Sequence, residues 1–276
     1  MKKFGNYPIY INHPGRLDEV RQRQRQEFAE QHDQHMVDWL AHTGRRLYEI
    51  TEDRNPGPAA RAYEQDVFDQ LTRILTTTMG KMLLGSLNRD LKYWILPLDL
   101  IDRKWCDCGA YTFPGAPKEG GGVRIYYNPT DFGTGARRWI GPDDVLFHEL
   151  VHAYRYGRVG FDMMSRAKAM TGYDDSEEFL ALQLQNIYLA DRGATTYYTT
   201  YTPLRAGSSD KAYEFFENNA EPVMALRYFI ENEPLATAVS HWKSPANSFN
   251  PWRDQQALEQ TYIRNAGVDL KRLPSF

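Results

Sequence analysis

Cysteine is nearly absent from this chain. Two occur in 276 residues, and Cys106 and Cys108 stand too close along the chain for an unstrained disulfide. A lone pair of thiols also cannot complete a four-cysteine zinc site. They read as free thiols in a loop, which points to folding in a reducing compartment. Long apolar runs are missing too: no stretch approaches the roughly 18 residues of a membrane-spanning helix. Met1-Lys2-Lys3 is basic, but Phe4-Gly5-Asn6-Tyr7-Pro8 supplies no apolar segment, so no cleaved secretory signal is expected. Charge of one sign is not in excess. A net charge of −3 offers no electrostatic reason for nucleic acid or an anionic membrane as partner.

What remains is the composition of a globular protein, with 42% hydrophobic and 25% charged residues, so a buried core is expected. Aromatics reach 13%, which fits a packed core before it fits an extended binding surface. Histidine is sparse, with seven in all, and two of these fall in one short stretch, His148-Glu149-Leu150-Val151-His152. This is the H-E-x-x-H pattern of zinc hydrolases. On an α-helix, residues four apart share a face, so both imidazoles project the same way. Imidazole suits Zn²⁺, and a catalytic site takes three protein ligands with one position open. Glu149 falls beside the metal, where a general base belongs. The flanks predict a helix, with Pro142 in the first turn, Asp143 and Asp144 at the positive end and Gly157 as terminator.

A third ligand is needed. After His152 the chain reads Ala-Tyr-Arg-Tyr-Gly-Arg, so the three-histidine continuation is excluded. The next candidate is the acidic start of 174–186, where Asp175 and Glu178 have capping-box spacing and Gly193 follows. Either Glu177 or Glu178 would complete a His₂Glu set from a second helix.

His148-Glu-Leu-Val-His-Ala-Tyr-Arg155, followed by Glu177-Glu178-Phe179-Leu180-Ala181, resembles the M91-type metallopeptidases of bacterial type III effectors. The resemblance centres on 123–190, with shorter pieces at 78–84 and at Phe249-Asn250-Pro251-Trp252-Arg253. It implies a gluzincin-like site, with His148, His152 and a downstream glutamate on zinc. It also implies a protein made in the bacterial cytoplasm and delivered into a host cell, where known members cleave signalling kinases. Gluzincins often place a small residue three positions after the ligand glutamate. Counted from Glu178 that residue is Ala181, and counted from Glu177 it is the larger Leu180, which favours Glu178. Many also carry Asp four positions after the ligand; here Leu182 stands there.

The expected fold is α+β and zincin-like. A small sheet presents an edge strand over the H-E-x-x-H helix, and the N- and C-terminal parts are helical. Residues 1–90 read as a mainly helical region packed on a catalytic core of 91–276, together one compact unit. Within it, 7–12 is a short edge strand and 16–50 a long or broken helix whose Arg21–Gln26 alternation is a solvated face. His32, His35 and His42 have no convergent acid and are not expected to bind metal. A break at 55–58 precedes a helix over 59–76 that extends toward Leu87. Residues 91–102 form a strand region interrupted by Pro97, and 106–122 are loops. Val123-Arg124-Ile125-Tyr126-Tyr127 is the strand expected at the sheet edge. There a peptide would pair antiparallel, with Arg124, Ile125, Tyr126 and Tyr127 tuning preference. Residues 195–201 are a loop or strand, and helices follow near 210–219, 221–231 and 235–242.

These expectations converge on peptide-bond hydrolysis with Zn²⁺ as cofactor. Glu149 takes a proton from water and returns it to the leaving amine. The oxyanion needs a further donor, for which Tyr198, Tyr201, Arg205 and His241 are the candidates. The partner is a protein or peptide substrate, and the oligomeric state is left open. Two other classes stay in view: a zinc amidase acting on cell-wall peptides as an interbacterial toxin, and a binding protein with structural zinc. The intact Glu149 argues against the last.

Overall fold

Apolar residues at the period of a strand or of a helix account for most of the elements in the computed structural model. It describes residues 2–11, 58–97, 110–114, 122–129, 141–160, 167–200, 205–243 and 248–268. The expected helix over 16–50, its histidines, both cysteines and Tyr201 lie outside them. The fold is α+β, with eight helices and a small mixed sheet among the described residues. No described helix is long and apolar enough to cross a membrane. The chain divides into two units, 1–76 with 84–162, and 77–83 with 163–276. This division does not coincide with the boundary expected at residue 90.

The first unit holds β1 (Lys2–Lys3), β2 (Ile9–Ile11), α1 (Pro58–Thr76), the end of α2 (Thr78–Ser86), β3 (Tyr93–Pro97), β4 (Ala110–Pro114), β5 (Val123–Tyr127) and α3 (Pro142–Val159). The strands form one sheet in the order β1-β2-β3-β5-β4. β2, β3 and β5 run parallel, while β1 and β4 are antiparallel to their neighbours. β3 and β5 are apolar on both faces and buried almost throughout, as parallel strands inside a sheet are. At one margin β1 is a pair of lysines, and charge of this kind blunts a sheet edge. α1 turns Tyr63, Val67, Leu71 and Ile74 to the interior, one helical face at spacings of four, four and three. It packs on β2 and α3, and α3 lies against β4 and β5.

Several expectations change here. Val123–Tyr127 is not an edge strand: β3 pairs with one side of it and β4 with the other, from Val123 to Tyr127. Residues 110–114, expected to be loop, are the strand that takes the outer place. Of the region 91–102, Tyr93–Pro97 is a strand and 98–102 lie outside the described residues, and the helix after 58 breaks at Thr77 into α1 and α2.

The second unit holds the start of α2, α4 (Ser176–Asp191), the hairpin β6 (Tyr197–Thr200) and β7 (Arg205–Gly207), then α5 (Ser209–Asn218), α6 (Ala220–Asn232), α7 (Pro234–His241) and α8 (Gln255–Ala266). Asn186, fully buried on α4, donates to the Tyr198 carbonyl at 2.7 Å and accepts from the Tyr198 N–H at 2.8 Å. One amide thus satisfies both backbone groups of a β6 residue. α5, α6 and α8 pack on one another, and Phe179 meets Phe216 and Phe229 in the interior. Phe249-Asn250-Pro251-Trp252-Arg253 seals this unit. Phe249 and Trp252 are buried, the Asn250 amide donates to the Val239 carbonyl at 3.1 Å, and its oxygen accepts from the Arg253 N–H at 3.1 Å.

Candidate metal centre

The helix carrying His148, Glu149 and His152 is held from the sheet side. Pro142 stands at its start, where a missing N–H costs nothing. Gly141 has no side chain to cap with, so the Asp144 carboxylate reaches back to accept its N–H at 2.8 Å. The Tyr127 phenol, at the end of β5, donates to the Pro142 carbonyl at 2.8 Å, and Tyr63 of α1 donates to the Tyr127 carbonyl at 3.2 Å. Burial pushes the Tyr127 hydroxyl far above the ordinary phenol range, and Tyr63 and then the carboxylates of Asp143 and Asp144 push it further. Tyr127 is therefore a neutral donor at any physiological pH.

The helix does not stop at Gly157. It continues to Val159 and ends at Gly160, whose φ of +78° suits a residue without a Cβ. Gly157 serves another purpose, because a Cβ there would fall on the hydroxyl oxygen of Tyr93. Tyr93 is fully buried, and its phenol is pushed up to about 12 by burial, less a lowering from the Asn88 N–H it accepts.

His148 and Glu149 are buried and His152 is half-buried, so the motif faces inward from α3. The two rings meet edge to face with centroids 4.8 Å apart, and their Nε2 atoms are 3.0 Å from one another. Two nitrogens on a tetrahedral zinc stand about 3.3 Å apart, given zinc–nitrogen bonds near 2.05 Å. The pair is close to the spacing a shared metal needs, and both donors are of the kind zinc takes.

Glu149 points to β4. The Thr112 hydroxyl lies 2.7 Å from Glu149 Oε2 and 2.9 Å from the Glu149 carbonyl oxygen. Sequence reasoning missed this residue. Threonine on a short strand gives no spacing signal toward a glutamate 37 positions away.

On α4, Asp175 caps the first turn. Its Oδ1 accepts the N–H groups of Glu177 at 2.8 Å and Glu178 at 3.0 Å. Glu177 is buried and Glu178 half-buried. Glu178, expected as the third ligand, stands on the first turn of α4 in the second unit.

The other expected site residues fare unevenly. Tyr198 is buried, with its backbone clamped by Asn186. Arg205 is exposed on β7. His241 is exposed at the end of α7, with Nδ1 2.8 Å from the Thr237 carbonyl oxygen. Arg124, Ile125, Tyr126 and Tyr127 are buried in a strand paired on both sides, so no peptide can add to it. Their physical role is to hold the sheet, and through Tyr127 the start of α3.

No known family model matches the chain, and neither a curated protein nor a solved structure matches it.

Proposed function

We propose that the protein is a zinc-dependent endopeptidase with a zincin-like site. His148, His152 and Glu178 are its metal ligands and Glu149 its general base. The observation that carries this reading is the His148–His152 pair, with Nε2 atoms 3.0 Å apart on a helix whose intervening Glu149 is buried and held by Thr112. A structural zinc site closes its coordination with four ligands and has no use for a carboxylate kept beside two of them.

Zinc, when bound, supplies Lewis acidity to the scissile carbonyl. Glu149 takes the proton of the attacking water and passes it to the leaving amine. Burial of His148 and Glu149 suits a site that strengthens electrostatic effects by excluding bulk water. The resemblance to M91-type effectors names the biological setting: delivery into a host cell and hydrolysis of a host protein.

The test is to incubate zinc-loaded protein with host-cell extract and separately with peptidoglycan, with Glu149→Ala as control, and to map new termini. New protein termini made only by the unsubstituted chain support the proposal. Cleavage confined to peptidoglycan would reassign it to cell-wall amides, and cleavage of neither would leave a zinc-containing binding protein.

A further inference from the structure

Thr112 reaches the motif from the sheet, on β4, where it faces Ile125 across the ladder. Its hydroxyl has a single proton and two acceptors within reach, Glu149 Oε2 at 2.7 Å and the Glu149 carbonyl oxygen at 2.9 Å. The carbonyl lies in mid-helix, where the helical ladder already supplies a donor. The carboxylate is the stronger acceptor, and an O–H bond to a carboxylate contracts to about 2.5–2.7 Å, which the shorter contact matches.

We infer that Thr112 is a positioning residue for Glu149, an inference that rests on the peptidase reading above. A glutamate side chain on a helix turns about three bonds. Tying one carboxylate oxygen to a strand fixes its direction from outside its own helix. Oε2 is held by the sheet, and the other oxygen carries out the proton transfer. Proton transfer needs heavy atoms within about 2.6–3.2 Å, so a carboxylate that wanders loses rate without losing substrate. A hydroxyl suits this role better than an amine or a carboxyl, because it adds no charge beside the metal ligands. A β-branched residue also suits the strand that carries it.

Thr112→Val keeps the shape and removes the hydroxyl, and Thr112→Ser keeps the hydroxyl. The expected result for zinc-loaded Thr112→Val is a kcat lower by about tenfold with KM and zinc content unchanged, and recovery of most of that rate in Thr112→Ser. A second readout needs no activity: the unfolding equilibria of the parent, Thr112→Val, Glu149→Ala and the double variant, with zinc content matched. A direct bond makes the two substitutions non-additive by about tenfold in the unfolding constant. Additive effects would overturn the inference, since the bond would then be absent in solution. An unchanged kcat in Thr112→Val would overturn it as well, leaving the bond structural. A parent protein that cleaves nothing would overturn the peptidase reading and, with it, the kinetic half of the inference. The double-mutant cycle would still decide whether the bond forms.

Discussion

The two helices that carry the candidate ligands are secured at their starts by different means. α3 begins at a glycine and borrows its anchors, from Asp144 one turn in and from Tyr127 at the end of β5. α4 begins at Asp175, a single side chain that takes two N–H groups, one of them Glu178's own. The first arrangement ties the His pair to the sheet and to α1. The second makes the position of a candidate ligand depend on one neighbouring carboxylate. α3 is thus disturbed through its packing and α4 through its cap.

The largest effect that separates the two is on metal affinity. Glu178→Ala, which removes the proposed ligand, should weaken zinc binding by about 100-fold or more, while Glu177→Ala, which leaves it in place, should stay within about tenfold. Competition titration against a chelator measures both, and a greater loss for Glu177→Ala would give the ligand role to the wrong-looking neighbour. Next comes packing on α3. Gly157→Ala drives a methyl into the buried Tyr93 hydroxyl, and overpacking of this kind costs about 1–3 kcal/mol by urea unfolding. A neutral result would mean that the Tyr93 ring swings aside freely. The smallest effect is Asp175→Ala, at about 1 kcal/mol, the usual loss of a helix cap. It should also lower zinc affinity, because the cap sets the first turn on which Glu178 sits. Lost stability with unchanged affinity would show that the cap and the ligand are independent.

Much of α3 and α4 was legible because their signals are local. Histidines four apart, proline at the start, and Asp175 ahead of two glutamates each describe one turn of helix. The three helices after residue 209 were also close to their observed limits. What failed depends on distant partners. Val123–Tyr127 was expected at an edge from its place before the helix, but strand position follows from what pairs on either side. Its sequence, apolar on both faces around Arg124, does fit an interior strand. Gly157 looked like a terminator because glycine usually ends helices. The buried Tyr93 hydroxyl against it shows why a glycine inside this helix is kept. Thr112 was invisible for the same reason: its partner is reached through the sheet, not along the chain.

The central claim is that His148, Glu149 and His152 form a working zinc centre, with ligands and base in separate roles. Zinc content and turnover of Glu149→Ala, measured on one preparation beside the parent protein, test it most directly. The account predicts that Glu149→Ala keeps about one zinc per chain and loses at least about 100-fold in turnover, the range of a missing general base. Near-normal turnover in zinc-bearing Glu149→Ala, or an active parent protein free of transition metal, would contradict it.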